Sequence, residues 1–363
     1  MPRLRQRWST MVANNGATDG PPDSEAAVNL RGVVKHFEVR QGMFGHPEVV
    51  RAVEGVDLDV WPGETLGIVG ESGCGKSTLA RVIVGLYPPT EGTVEVGGQD
   101  IYAGGSLARD ARRKVQMVFQ NPTGSLNPRL TLARSIAEPL AAMGVAPREA
   151  RSRVRETLDL VGLKPEYADR LPHQLSGGQQ QRACIARATI ANTKIVVHDE
   201  SVSALDVSLQ AQVLNLLKDL QDRLGVTYVF ISHDLAAVQQ VSSRVAVMYL
   251  GKVVEIAPTA EFQSGALHPY SVALRSAVPV ADPVVEQQRK RIILHGDVPS
   301  PINPPSGCSF HTRCPLATDL CKEEEPPLTE HRPGHFSACH YAGEFDKDLQ
   351  PLVSEQTELA EGS

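Results

Sequence analysis

Nine consecutive residues carry the first chemical signal of this 363-residue chain: Gly70-Glu71-Ser72-Gly73-Cys74-Gly75-Lys76-Ser77-Thr78. They match the pattern G-x-x-x-x-G-K-[ST], a loop that binds nucleotide phosphates. Glycines let successive backbone N–H groups turn inward, and a following helix N-terminus adds partial positive charge. Lys76 can then reach the β- and γ-phosphates, and the Ser77 hydroxyl can ligate Mg²⁺. A second signal is the acidic pair Asp199-Glu200 after the apolar run Lys194-Ile195-Val196-Val197-His198. Asp199 suits Mg²⁺ and Glu200 suits polarising a water. A third is Leu175-Ser176-Gly177-Gly178-Gln179, followed by small and apolar positions at helical spacing. That spacing puts Ser-Gly-Gly at a helix N-terminus, another phosphate-binding end. Taken singly, each has a bland reading: a glycine turn, an acidic turn, a helix cap. Together they point to phosphate chemistry.

The elements that must position these residues are legible. Leu66-Gly67-Ile68-Val69 reads as a short buried strand and Leu79–Val84 as the helix after the loop. An acidic pair at the C-terminal edge of a buried parallel strand faces the ligand crevice of an α/β sheet. Thr227-Tyr228-Val229-Phe230 reads as another such strand, ending in Ile231-Ser232-His233-Asp234. Residues 28–60 are expected to form antiparallel strands. Residues 63 to about 119 and 194 to about 254 are expected to form the parallel core, with a helix-rich part at about 120–187 between them. No internal repeat is visible.

The ordered set of motifs resembles the ATP-binding cassette (ABC) ATPases. Leu175–Gln179 resembles the family's signature motif, Val118-Phe119-Gln120 its Q-loop, Ser203-Ala204-Leu205-Asp206 its D-loop, and His233 its switch histidine. Finer detail resembles the second ATPase of bacterial dipeptide and oligopeptide importers. It lies in Gln120-Asn121-Pro122, Ser125-Leu126-Asn127-Pro128-Arg129, Val247-Met248-Tyr249-Leu250-Gly251, His268-Pro269-Tyr270 and Pro299–Cys308. The resemblance runs from about Val28 to Tyr341. It departs at Ser201, where the family usually has a proline after the glutamate; losing that stiff ring is expected to loosen Glu200.

The resemblance implies an α/β fold: a phosphate-loop parallel-sheet core, an antiparallel β subdomain and a helical subdomain, plus a small cysteine-containing C-terminal extension. The implied divisions are a disordered arm at 1–27, the ATPase at 28–265, the oligopeptide-transporter extension at 266–343 and a mobile tail at 344–363. It implies catalytic roles for Glu200, His233 and Gln120, and Mg²⁺ ligation by Ser77, Gln120 and Asp199. Nucleotide contacts are implied for Gly70, Ser72–Thr78, Gln120, Asp199, Ser176–Gln179 and Asp206, with Phe37, or alternatively Phe44, stacking on adenine. One cassette cannot complete a site in this family, because one subunit's signature covers the ATP on another's phosphate loop. The implied partners are a second, related ATPase, two transmembrane permease subunits and, indirectly, an extracytoplasmic substrate-binding protein. The Ser125–Pro128 turn is expected to receive a permease helix at the cytoplasmic membrane face. Peptides lead as cargo; nickel, haem and glycosides are handled by similar systems.

Six cysteines add a further expectation. Cys74 and Cys184 are small packing residues. Cys308, Cys314, Cys321 and Cys339 cluster with gaps of five, six and seventeen residues. They lack the C-x₂₋₄-C pairs usual for zinc, and a cytosolic protein does not normally hold structural disulfides. Four thiolates at looser spacing fit a [4Fe–4S] cluster, as some importer ATPases carry; zinc or free thiols are the alternatives. His311, His335 and His340 are substitute ligands if one thiol is spare, or else exposed polar groups.

A net charge of −6 and a pI near 6.0 argue against a general nucleic-acid binder. No apolar run approaches the ~20 residues needed to span a bilayer. The arginines Arg3, Arg5 and Arg7 precede no apolar signal core. A soluble ABC ATPase of DNA repair or translation is the rival reading, but such proteins usually carry two cassettes or long insertions. A regulatory subunit with a weakened site is the other rival, opposed by intact Lys76, Asp199, Glu200 and His233.

Overall fold

The computed structural model describes residues 25–40, 47–279 and 292–345, with the side chains of 105–108 left aside. Most of the expected N-terminal arm and of the C-terminal tail, and Phe44, lie outside the described residues.

Eleven strands are described in chain order: β1 (Val28–Arg40), β2 (Pro47–Val60), β3 (Thr65–Val69), β4 (Glu91–Val96), β5 (Val115–Val118) and β6 (Ile195–Asp199) come first. Then come β7 (Thr227–Ile231), β8 (Arg244–Tyr249), β9 (Lys252–Pro258), β10 (Thr329–Arg332) and β11 (His335–Ser337). They make two sheets, a three-stranded β2-β1-β4 and an eight-stranded β10-β11-β9-β8-β3-β7-β6-β5. The run β8-β3-β7-β6-β5 is parallel. The crossovers that parallel pairing requires are helical. The architecture is therefore α/β with an antiparallel β layer.

The parallel strands are apolar because both of their faces are buried. Leu66, Ile68, Ile195, Val197, Val229, Ile231, Ala246 and Met248 point into one core, shared with the helix Lys76–Ile83 and the small sheet. Their neighbours Val69, Val196, Tyr228, Phe230, Val245 and Val247 point into the other, shared with helices Leu132–Ala142, Gly177–Thr189 and Val207–Leu224. The two-residue alternation of a strand thus feeds two hydrophobic cores at once.

Two stretches expected in the parallel core lie elsewhere. β4 joins the small sheet antiparallel to β1. β9 turns back antiparallel on β8. Leu250 (φ 44°) and Gly251 (φ 79°) form the turn between them; two consecutive positive φ values suit the right-handed twist of a tight hairpin.

The C-terminal residues are built onto this sheet. β11 pairs antiparallel with β9. The buried Glu255 carboxylate of β9 accepts the Leu267 and His268 backbone N–H groups, each at 2.8 Å, and His335 Nε2 lies 2.7 Å from its Oε1. His335 is fully buried, which removes the exposed reading of it, and it belongs to no metal-holding group among the described residues, which removes the ligand reading.

Candidate functional site

The loop Gly70–Gly75 leaves the end of β3 and enters the helix Lys76–Ile83, as the glycine pattern requires. Gly75 has φ 106°, and a Cβ there would fall 2.0 Å from the Ala52 carbonyl oxygen. Gly70 is equally constrained, because its Cβ would meet the Met248 carbonyl oxygen at 2.3 Å. The Lys76 ammonium is buried and donates to the carbonyls of Gly70 and Glu71, both at 2.8 Å. It lies under the loop, where phosphate oxygens would compete for its donors.

Four strand ends meet here. The Ser77 hydroxyl donates to Asp199 Oδ1 at 2.7 Å. Burial pulls the Asp199 carboxyl above the usual carboxylate range, against the opposing Ser77 hydrogen bond and Arg81 charge. Asp199 therefore gains from a nearby cation. A hydroxyl and a carboxylate at this spacing fit Mg²⁺, which takes one or two protein oxygens and completes its shell with phosphate and water. Beside them, Gln120 Nε2 donates to Glu200 Oε2 at 2.9 Å, and His233 Nδ1 lies 3.4 Å from the same oxygen. Gln120 and His233 are exposed; Glu200 is half-buried.

Glu200 is held in the left-handed region, φ 49°, a conformation costing roughly 1–2 kcal/mol for a residue with a Cβ. Its N–H donates to Ile231 O at 2.9 Å, and its carbonyl accepts from Ser203 Oγ at 2.7 Å. Ser201 is buried, with Oγ 3.2 Å from His198 Nδ1. Where a proline ring would stiffen this turn, hydrogen bonds tie it on both sides.

The signature is placed differently. Ser176 caps the helix Gly177–Thr189 in a reciprocal box: Gln179 N–H donates to Ser176 Oγ at 3.3 Å, and Ser176 N–H donates to Gln179 Oε1 at 3.0 Å. Among the described residues, no hydrogen bond or ion pair joins 176–179 to Lys76, Ser77, Asp199, Glu200 or His233. Asp206 caps the helix Val207–Leu224, accepting from the Ser208 and Leu209 N–H groups; these bonds hold its carboxyl below the usual range. Phe37 is half-buried and packs edge-on to Tyr87, ring centroids 5.5 Å apart. Tyr87 lies in turn beneath Arg81, whose Nη2 is 4.0 Å from Asp199 Oδ2. Neither Tyr87 nor Arg81 was legible as part of the site, because neither belongs to a spaced motif.

In the expected docking turn, Leu126 is buried in the helical core, while Asn127, Pro128 and Arg129 are exposed. Leu126 is therefore a packing residue, and the exposed surface starts one residue later.

The C-terminal cysteines require a correction. Among the described residues, no group of three or more His, Cys, Asp or Glu side chains is arranged to hold a metal ion. The expected [4Fe–4S] centre, and zinc with it, gives way to four free thiols. The physical reason is geometric, since the side chains do not converge on one point as metal ligands must; burial meanwhile favours the neutral thiol over the thiolate. It pushes Cys308 up, Cys314 up to about 11 and Cys339 up to about 12. The substitute ligands join no metal-holding group among the described residues either: His311 Nδ1 and His340 Nε2 lie 2.9 and 3.1 Å from the carbonyl oxygens of Cys308 and Glu324. Cys314 and Cys339 should therefore alkylate slowly at neutral pH in the native protein, and fast once it is unfolded. Because their folded values lie above the unfolded 9.0, the stability they carry is complete below about pH 9 and lost as pH rises toward about 12. Mass spectrometry after timed labelling checks this; rapid native labelling would show open thiolates.

Comparisons with known proteins bear on the same residues. Residues 53–203 match the ABC transporter family, and residues 254–321 match the oligopeptide/dipeptide transporter C-terminal region. The chain is 50% identical over 322 residues to the oligopeptide transport ATP-binding protein AppF of Bacillus subtilis, covering 88% of this chain and 98% of that protein. It is 45% identical over 326 residues to the dipeptide transport ATP-binding protein DppF of Haemophilus influenzae, covering 89% and 99%. A dimeric, post-hydrolysis structure of the ATP-binding cassette MJ0796 bound to ADP and Pi superposes with a TM-score of 0.57 at 33% identity, covering 64% of this chain and 98% of that one. Among the described residues, no helix is long and apolar enough to cross a membrane. With half of its residues shared along nearly the whole of such a relative, this chain belongs to the ATP-binding subunits of the oligopeptide/dipeptide ABC transporter family.

Proposed function

We propose that this chain hydrolyses ATP to power the import of dipeptides or oligopeptides, working from the cytoplasmic face of a membrane against two permease subunits. The single observation that carries the reading is the cluster at the mouth of the glycine loop, in which Ser77 is hydrogen-bonded to Asp199, Gln120 to Glu200, and His233 Nδ1 lies 3.4 Å from the Glu200 carboxylate. The names of the relatives favour peptides over nickel or haem as cargo.

Phosphoryl transfer to water concentrates negative charge on the β- and γ-phosphate oxygens. Lys76 and the loop N–H groups of residues 72–78 stabilise it. Ser77, Asp199 and Gln120 would hold Mg²⁺, whose charge would neutralise that of the phosphates. Glu200 takes the proton of the attacking water. His233 steadies the γ-phosphate, and Gln120 reads its presence through Glu200. Phe37, packed edge-on to Tyr87, stacks on adenine. Ser176–Gln179 and the D-loop around Asp206 act across an interface, on ATP held by a second, related cassette. ATP favours the closed pair and hydrolysis releases it, and that differential binding drives the permease. The cassette proper spans 28–265, its helical part about 120–187, with the extension at 266–343. A binding protein outside the membrane delivers the cargo.

The test is to assemble the chain with its permease and partner ATPase. ATP hydrolysis should be stimulated by cargo-loaded binding protein. A photo-crosslinker at Asn127 or Arg129 should label a cytoplasmic permease loop, whereas Leu126→Ala should act through stability, costing about 2–5 kcal/mol as a buried truncation. Labelling only from other faces of the cassette would remove this docking site. No stimulation by any peptide-loaded binding protein would remove the peptide cargo.

A further inference from the structure

The C-terminal segment reaches the phosphate loop. Arg313 Nη1 donates to Glu71 Oε2 at 2.7 Å, and Nη2 donates to Glu71 Oε1 at 3.1 Å. This is a two-pronged guanidinium–carboxylate pair, the geometry that gives such contacts both strength and direction. It is not a surface pair: the Arg313 side chain is 7% exposed and that of Glu71 28%. The rest of Glu71 is held as well. Its N–H donates to the Tyr270 hydroxyl at 2.8 Å, and its carbonyl accepts from Lys76. Tyr270 and the buried Phe310 pack tilted or edge-on with Tyr249 at the end of β8, with ring centroids 4.8 to 5.5 Å apart. The Arg313 N–H donates to the Phe310 carbonyl at 3.0 Å, so both residues that grip Glu71 are braced on the sheet that carries the site.

We propose that Arg313 and Tyr270 are positioning residues for the phosphate loop. Tyr270 and Arg313 fix the outer arm of the loop at Glu71, and Arg313 also cancels the carboxylate that the loop itself carries. The inference rests on the reading of Gly70–Thr78 as the ATP site. A polyphosphate is strongly anionic, and an unpaired carboxylate within its own binding loop opposes it. Pairing with Arg313 removes that opposition without losing the side chain that orients the turn. The C-terminal region then sets ATP affinity from 242 residues away in sequence.

The test is equilibrium binding of a fluorescent ATP analogue to the full chain, with thermal unfolding followed alongside. Arg313→Ala should raise the Kd by about tenfold, the scale of losing one charge-assisted partner. Glu71→Gln in that background should bring it back to within about threefold of wild type, because the uncompensated charge is gone. Arg313→Lys keeps the charge but loses the fork, and should raise the Kd by about threefold. Tyr270→Phe keeps the ring and loses the acceptor for the Glu71 N–H, with an effect of similar size. If Arg313→Ala does not fold, Arg313→Lys with and without Glu71→Gln gives the same reading. A lowered melting temperature with unchanged Kd and no rescue would overturn the proposal and leave Arg313 a structural residue. A wild-type chain that fails to bind ATP would overturn the ATPase reading and this inference together; wild-type binding with unaltered variants would overturn this inference alone.

Discussion

Glu200→Gln is expected to bind ATP with wild-type affinity and to lose about 10²–10⁴-fold in turnover, the range for removing a general base. The geometry explains why the two effects separate. Glu200 Oε2 receives Gln120 Nε2 at 2.9 Å and faces His233 Nδ1 at 3.4 Å, while Lys76 and the loop N–H groups lie on a different element. A glutamine keeps one oxygen for the Gln120 bond. Its other terminal atom becomes an NH₂ donor, which has the wrong polarity to take a proton from water. Residue 200 stays in its left-handed turn, because the bonds to Ile231 O and from Ser203 Oγ are made by its backbone. ATP should therefore hold the closed cassette pair without being consumed. Steady-state hydrolysis by the assembled transporter, read beside nucleotide retention on the purified complex, decides it. Near-normal hydrolysis would take Glu200 out of the general-base role.

Lys76→Ala and Ser176→Arg are expected to fail at different sites. Losing the ammonium removes a charge-assisted contact of about 1.5–3 kcal/mol, so ATP binding to this chain's own loop should weaken by roughly tenfold to a hundredfold. Ser176→Arg should leave that binding intact, since Ser176 and Gln179 are tied to each other and not to the Lys76 cluster. It should block hydrolysis on the partner's loop, where a bulky cation would stand in place of a helix N-terminus. The same change removes a helix cap worth about 1 kcal/mol, so melting temperature must be followed to separate instability from blockage. Complexes in which only one cassette is altered give the answer. If both changes silence the same single site, the head-to-tail arrangement is wrong.

What the sequence determined by itself was whatever contiguous residues encode. The glycine loop, the capped signature helix and the acidic strand end each occupy a few successive positions. Their local geometry follows from backbone freedom, capping and strand period. Their order along the chain was enough for the fold class and the family. The tertiary structure decided what depends on partners distant in sequence. It showed that Leu126 points into the core, because only packing decides which side of a turn is covered. It turned the four cysteines from expected ligands into free thiols, because spacing counts sulfurs while only the fold decides whether they converge on one point. It brought His335 to Glu255 across 80 residues and Arg313 to Glu71 across 242. Pairs of that kind leave no periodic trace: each partner alone reads as one more charged residue, and only the folded sheet sets them within hydrogen-bonding reach.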